Sequence, residues 1–274
     1  MINLHNYRNG FTSKLHPFYK DDTSTNDYIN SYSQNGEEGV LEKIFETLNI
    51  TKGEFVNAGA DDINDHSNVR KLISFHNWGG LFIEPNESML QQGRDNLSKD
   101  DRISNAEFNF HTGFVSTKTD DEKINNIISQ YYDSNIVFDL LTLHIDSYEY
   151  WVLEDFLKGD YDARVILVGY NSSRPDSVTT PIDCEPKIGH KTVSDNFYSA
   201  TGSALKKLAN EYGYELISIC KPNNLIFIKK DLNDNLFQVY DDLKVDDYYW
   251  DSKQWYIQNG LTPRKQVETG WIEV

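Results

Sequence analysis

The sequence predicts an α/β protein with a doubly wound, mostly parallel, seven-stranded sheet that ends in an antiparallel hairpin. From residue 54 onward, short apolar runs alternate with stretches of helical spacing, and only a tight turn separates the last two runs. Strand–helix–strand repetition gives parallel strands covered by helices on both faces. A turn of a few residues can join only antiparallel strands.

The predicted strands are short apolar runs, namely Glu54–Ala58, Gly80–Glu84, Glu107–Val115, Leu140–Ile145, Val165–Tyr170, Glu215–Ile219 and Leu225–Ile228. The last two flank a turn with Pro222 and Asn224, which is too short for a helical crossover. Five strand–helix steps followed by a terminal hairpin is the layout of a Rossmann-like class I methyltransferase sheet. A plain dinucleotide dehydrogenase is not expected to end in this way.

The first predicted helix places Val40, Leu41, Ile44, Phe45 and Leu48 on one face, with Ser33 and Glu37 upstream as candidate start signals. The other helical stretches lie between the strands, at Asn68–Phe75, Glu87–Leu97, Asp120–Tyr131, Tyr148–Leu157 and Ser199–Tyr212.

We expect three parts along the chain: an N-terminal extension over 1–30, the α/β domain over 31–232, and an acidic, aromatic C-terminal extension over 233–274 that packs on the domain. The long connection 171–198 is either a lid or binding loop or a surface excursion. A sugar-stacking face is the weaker alternative for the C-terminal aromatic residues, which include Tyr248, Tyr249, Trp250, Trp255 and Trp271.

The composition argues against two classes of partner. The chain of 274 residues carries 26 Lys and Arg against 43 Asp and Glu, a net charge of −17. Binding to nucleic acid or to an anionic membrane depends on Lys and Arg, so neither partner is expected. No secretory signal or long apolar segment is evident, and we expect a cytoplasmic protein that acts on a small molecule or glycan. The sequence does not indicate an oligomeric state.

Ligands of doubly wound sheets bind beyond the carboxyl ends of the strands, at the switch point. The first strand leads into Gly59, where the backbone can approach a ligand closely. The second strand ends at Glu84, 25 positions later, which is placed to accept the ribose hydroxyls of a nucleoside. Alternatively, Glu84 is a strand-end carboxylate that caps the next helix.

The fourth strand ends in His144 and Asp146, which strand alternation would place on one face. Histidine is a suitable general base near neutral pH, so this pair is the candidate catalytic group. The alternative is a purely structural His–Asp pair. With Asn171 after the fifth strand, the same residues are candidate ligands for a divalent cation such as Mg²⁺.

Several motifs in order resemble those of FkbM-type S-adenosylmethionine-dependent methyltransferases. Residues 33–41 resemble the group's Ser-Gln-x-Gly-Glu/Gln-Asp-Gly opening, and 55–62 with Ser67-Asn68 resemble its Val-Glu-Phe-Gly-Ala-Trp-Asp-Gly and Ser-Asn motifs. Further matches to its later motifs lie at 78–84, 143–151, 168–171, 200–205 and 213–216, so that the resemblance spans about residues 31–232.

The resemblance implies O-methylation of a sugar or other small hydroxylated acceptor, with S-adenosylmethionine as the methyl donor. The candidate donor contacts are Asn57, Gly59, Asp62, Ser67, Asn68, Glu84 and Thr112.

The chain also departs from the group's pattern. A glycine of the pattern is Ile63 here, and acidic positions are replaced by Asn57, His144 and Gly169. A catalytically inactive binding or scaffold module is therefore one alternative. A metal-assisted enzyme acting on a nucleotide-sugar is another, with Arg174 and Lys187 as candidate phosphate contacts.

Overall fold

The computed structural model describes residues 1–4, 7, 32–185, 195–220, 224–241, 243, 265 and 267–274. The predicted contact Lys187 and the aromatic residues between 248 and 255 lie outside these ranges.

The described chain forms seven helices and nine strands. The helices are α1 (Glu37–Thr47), α2 (Arg70–His76), α3 (Glu87–Ser98), α4 (Ile124–Ile128), α5 (Glu149–Lys158), α6 (Gly202–Glu211) and α7 (Lys230–Asn233). The strands are β1 (Glu54–Ala58), β2 (Gly79–Glu84), β3 (Phe108–Thr112), β4 (Val137–Leu143), β5 (Asp162–Gly169), β6 (Val178–Thr179), β7 (Tyr214–Cys220), β8 (Asn224–Lys229) and β9 (Ile272–Glu273).

The main sheet has seven strands in the order β3-β2-β1-β4-β5-β8-β7. The pairs among β1 to β5 are parallel, whereas β8 runs antiparallel to both β5 and β7. The predicted terminal hairpin is therefore confirmed, and its returning strand inserts next to β5. This strand order is that of a Rossmann-like class I methyltransferase fold.

Two separate apolar cores cover the faces of this sheet. On one face, α1, α2 and α3 contribute residues such as Leu41, Leu72 and Leu90. On the other face, α4, α5 and α6 contribute residues such as Ile127 and Phe156. The sheet is thus wound on both sides, which leaves its carboxyl edge as the place where loops from several strands meet.

Strand β4 and the predicted helix over 120–131 depart from their sequence patterns. Strand β4 ends at Leu143 rather than Ile145, because the chain turns there and Asp146 adopts a positive φ of 62°. The stretch Asp120–Tyr131 is divided into a short 3₁₀ turn and α4, because Lys123 between them has extended backbone angles.

Segments near both ends of the chain contact the α/β body. Leu4 is buried in the core beside α1, and Ile2 forms a backbone bridge with Phe237. Near the C-terminus, β9 pairs with β6 of the long connection, and Trp271 contacts Phe197. The domain boundaries themselves stay a prediction. Within the described ranges, the helices are too short or too polar to cross a bilayer.

Candidate functional site

The loops after β1 and β4 touch at the switch point of the sheet. Gly59 has a φ of 81°, and its N–H donates to the carbonyl of Ile83 at 3.0 Å. A Cβ atom at this position would lie 2.0 Å from the carbonyl oxygen of His144. Only glycine fits both the backbone angle and this close approach of the turn after β4, and the contact of Gly59 with a ligand stays a prediction.

Glu84 lies beside this loop, half-buried at the end of β2. One carboxylate oxygen accepts the N–H of Asp61 and the other accepts the N–H of Asn86, both at 3.0 Å. Burial raises the pKa of Glu84, and the two N–H groups partly offset this effect. A carboxylate offers about four acceptor positions. Glu84 therefore binds the residue that precedes α3 and retains acceptor capacity beyond these two hydrogen bonds.

Two predicted donor contacts have their groups partly engaged within the protein. Thr112 pairs with Glu84 across β2 and β3, but its hydroxyl donates to Glu87. One carboxylate oxygen of Asp62 accepts the N–H groups of Asn64 and Asp65, both at 2.9 Å, so this side chain shapes its own loop.

The remaining predicted donor contacts are buried. Asn57 on β1 accepts a hydrogen bond from the hydroxyl of Thr142 on β4. Ser67 and Asn68 are buried in the loop before α2. Among the described residues, the hydroxyl of Ser67 has no hydrogen-bond partner.

Ile63 does not close the crevice, although its side chain replaces a glycine of the resembling pattern. It has a φ of 58°, which is strained for a β-branched residue, and its side chain is fully buried. The side chain packs against Gly93 of α3, where a Cβ atom would lie 2.4 Å from Cδ1 of Ile63. Because Gly93 has no side chain, α3 leaves room for the side chain of Ile63.

Gly93→Ala is expected to lower the free energy of unfolding by about 1–3 kcal/mol, because the added methyl overpacks the contact with Ile63. In an Ile63→Ala background the same change is expected to be neutral or to stabilise by up to about 1 kcal/mol, because alanine favours the helix. Denaturant unfolding of the four proteins measures both values. An equal cost in both backgrounds would show that Ile63 does not set the requirement for Gly93.

His144 and Asp146 lie in the turn after β4, so strand alternation does not position them, contrary to the sequence prediction. The N–H of His144 donates to the carbonyl of Ala58 at 3.0 Å. Its imidazole lies over Gly169 at the end of β5, where a Cβ atom would be 2.8 Å from Cδ2. The ring fills the space that a side chain at position 169 would occupy. The two departures at 144 and 169 are therefore sterically complementary.

Glu149, at the start of α5, is a buried carboxyl group at the same place. One of its oxygens accepts the N–H of Ile145 at 3.1 Å, and the other accepts the hydroxyl of Ser199. Burial raises the pKa of Glu149 to about 7, the Ser199 hydrogen bond lowers it, and the charge of Asp146 raises it further. This site thus contains a carboxyl group that titrates near neutral pH.

Asn171 is not available as a metal ligand, which corrects the sequence prediction. Its side-chain oxygen accepts both the N–H and the hydroxyl of Ser173, and its NH₂ group donates to the carbonyls of Asn196 and Tyr198. Both lone pairs of the oxygen are therefore used inside the loop. Across the described parts of the chain, no cluster of three or more His, Cys, Asp or Glu side chains could hold a metal.

Arg174 is also engaged within the protein. It forms an ion pair with Asp176 at 2.6 Å, donates to the carbonyl of Val267 and lies 5.3 Å from the ring of Trp271. Arg174 thus anchors the C-terminal segment to the long connection. The sequence had instead suggested a phosphate contact for this residue.

An open cleft of about 510 Å³ lies at the opposite, amino-terminal edge of the strands. Its charged lining includes Asp139 and Arg164, which pair with each other at 2.7 Å. The titratable groups described above are all at the carboxyl edge, so we place the candidate site there and not in this cleft.

The structure brings Gly59, Glu84, His144 and Asp146 to one edge, as predicted. Sequence reasoning did not assign roles to Glu149 and Asp61. The available signal for Glu149 was its place in the first turn of α5, from which a carboxylate can reach back to the turn after β4. Asp61 contributes through its backbone N–H, and no side-chain pattern predicts such a contact.

No family model and no curated protein matches this sequence. Among solved structures, the chain is similar to the CurJ carbon methyltransferase, with 12% identity and a TM-score of 0.47, over 74% of this chain and 57% of that one. A SAM-dependent methyltransferase from Methanosarcina mazei has 10% identity and a TM-score of 0.39, over 68% and 96% of the two chains. Monomeric WbdD has 10% identity and a TM-score of 0.45, over 73% and 42%.

The chain thus spans little more than half the length of CurJ. Similarity at this level does not bear on activity. The strand order and parallel pairing assign the chain to the class I methyltransferase fold.

Proposed function

We propose that the protein is an S-adenosylmethionine-dependent O-methyltransferase, of the FkbM type, that acts on a sugar or another small hydroxylated acceptor in glycan modification. The observation that carries the proposal is the position of Glu84, whose carboxylate binds the N–H of Asp61 in the half-buried loop that begins at Gly59, at the switch point of this particular strand order. In such sheets a carboxylate at the end of the second strand is placed to accept ribose hydroxyls.

The residues at this edge fit the donor. Glu84 retains acceptor positions for the two ribose hydroxyls beside its bonds to Asp61 and Asn86. Gly59 lets the turn at His144 approach the loop after β1 closely, and Ser67 has a buried hydroxyl without a partner among the described residues. Asp61 and Asp146 add negative charge, which suits a sulfonium cation. S-adenosylmethionine would supply an electrophilic methyl group.

On the acceptor side, His144 would take the proton from the attacking hydroxyl as a general base. Its main chain is tied to Ala58 and its ring lies over Gly169, so the ring position is set by both neighbouring strands. Holding an acceptor in line with the methyl group supplies much of the remaining rate enhancement. The proposal requires no metal.

The inactive-module alternative loses one of its supports, because Ile63 packs into the core beside Gly93 and not into the crevice. The metal-assisted alternative loses a candidate metal ligand and a candidate phosphate contact, because Asn171 and Arg174 both bind groups within the protein. The replaced acidic positions remain consistent with either alternative, so ligand binding has to be measured.

The test is calorimetric titration with S-adenosylmethionine and S-adenosylhomocysteine. We expect the wild type to bind both. Glu84→Gln is expected to bind each about 10–100-fold more weakly, because a charged acceptor contributes about 1.5–3 kcal/mol per hydrogen bond. A thermal shift provides a second readout, since a ligand at 100 times its Kd stabilises the folded state by about 2.7 kcal/mol.

Glu46→Gln is the matched control, because Glu46 lies on the exposed side of α1 and pairs only with Lys43 among the described ion pairs. It should leave both affinities unchanged. Absence of binding to the wild type would rule out the methyltransferase proposal and leave the fold. Unchanged affinity in Glu84→Gln would remove Glu84 from the ribose site.

A further inference from the structure

We propose that Glu149 is a positioning residue that latches the turn carrying His144 to the loop at Ser199 and thereby holds His144 on the acceptor side of the crevice. The catalytic consequence rests on the proposed function, in which His144 is the base. The latch itself is a property of the fold and can be tested without turnover.

The latch consists of two hydrogen bonds to one buried side chain. Glu149 is 2% exposed, and its two oxygens bind groups on different segments: the N–H of Ile145 and the hydroxyl of Ser199. Ile145 follows His144 directly in the chain. Ser199 lies 50 positions away from Glu149, at the end of the long connection. The side chain therefore joins two segments that no regular strand pairing holds together.

Both segments contain strained backbone at the latch. Asp146 has a φ of 62° and Ser199 a φ of 53°, values that non-glycine residues rarely adopt. Such conformations persist only where the surrounding structure stabilises them. The hydrogen bonds from Ile145 and Ser199 to one carboxylate provide that stabilisation at each end.

The carboxylate of Glu149 and the ring of His144 both lie close to Gly169. A Cβ atom at Gly169 would lie 2.8 Å from Cδ2 of His144 and 3.6 Å from the latch oxygen Oε1 of Glu149. The ring and the carboxylate thus lie against the same bare stretch of β5. We therefore expect a shift of the carboxylate to alter the position of the ring.

A third segment strengthens the same junction. Thr180 donates its N–H to the carbonyl of Ser199 at 3.0 Å, and its hydroxyl donates to the carbonyl of Ser147 at 3.3 Å. The indole of Trp151, on the same helix as Glu149, donates to the carbonyl of Thr180 at 2.9 Å. The long connection is therefore bound to the turn after β4 from two sides, with Glu149 at the centre.

The experiment compares Glu149→Ala, Glu149→Gln and Ser199→Ala with the wild type. Hydrogen exchange at the Ile145 amide reports the latch directly, and the ring resonances of His144, assigned with His144→Ala, report the ring position. We expect Glu149→Ala to accelerate Ile145 exchange by about 10-fold or more and to shift the His144 resonances. Ser199→Ala should shift the same resonances by less.

Glu149→Gln should restore wild-type behaviour, because its amide oxygen can accept from Ile145 and its NH₂ group can donate to the Ser199 oxygen. The matched control is Glu154→Ala on the same helix, whose side chain pairs with Lys158 near the surface at 2.8 Å. It should leave the exchange rate and the resonances unchanged. In turnover assays, Glu149→Ala should lower kcat while donor affinity stays the same.

Unchanged Ile145 exchange and an unshifted His144 ring in folded Glu149→Ala would overturn the latch. If Glu149→Ala does not fold, Ser199→Ala decides, and an unshifted ring in that variant would overturn the latch as well. Loss of donor affinity would also overturn it, since the latch acts on the acceptor side. If the wild type binds no donor, the proposed function fails, whereas the exchange and ring measurements still decide on the latch.

Discussion

Replacing His144 with alanine is expected to lower turnover by about 10²–10⁴-fold, the usual contribution of a positioned general base. Donor affinity is expected to stay the same, because the imidazole lies over Gly169 on the β5 side, away from Glu84 on β2. Single-turnover kinetics with a panel of sugar acceptors, together with calorimetry of donor binding, separates the two effects.

Gly169→Ala tests the role of His144 by displacing its ring without removing it. The added methyl would lie 2.8 Å from Cδ2 of His144, so the ring must move. Turnover should fall in the same direction without loss of the imidazole. His76→Ala is the control, since His76 lies at the end of α2 and pairs with Glu42. Weakened donor binding in His144→Ala would reassign this residue to the donor site, and unchanged turnover would remove it as the base.

The second large effect is on stability and depends on pH. Burial raises the pKa of Glu149 from 4.5 to about 7 in the folded protein. Between these two values the folded state holds a proton that the unfolded state has released. Wild-type stability should therefore fall as the pH rises through this window. A shift of this size corresponds to about 3 kcal/mol.

Glu149→Gln has no such proton, so the difference in unfolding free energy between the variant and the wild type should increase by up to about 3 kcal/mol from pH 4.5 to pH 8. The groups that face Glu149 are the hydroxyl of Ser199, the N–H of Ile145, the carboxylate of Asp146 and the ring of His144. Denaturant unfolding across this range measures the difference. Repeating it in a His144→Ala background separates titration of the histidine. A difference that does not vary with pH would show that Glu149 titrates normally.

The sequence pattern predicted several elements closely. β1 begins and ends at the predicted residues, and the hairpin of β7 and β8 follows from a turn too short for a crossover. The crevice residues Gly59 and Glu84 were also found, because each lies where a predicted strand ends. These features depend on neighbouring residues, whose spacing can be read along the chain.

Other features depend on residues far apart in sequence. Two departures from the resembling pattern are each matched by a distant glycine: Ile63 packs against Gly93, and the ring of His144 lies over Gly169. Asn171 was predicted as a candidate metal ligand, but its side-chain oxygen accepts two hydrogen bonds from Ser173 in the same loop.

The sequence by itself therefore determined the order of strands and helices, the doubly wound class and the edge at which a ligand would bind, since periodicity and turn length are local properties. Only the tertiary structure decided which polar groups at that edge are engaged and which are available. Hydrogen bonds such as that between Ser199 and Glu149 form across 50 positions, and burial sets the pKa of that carboxyl group. Both depend on how the two faces of the sheet and its loops pack together.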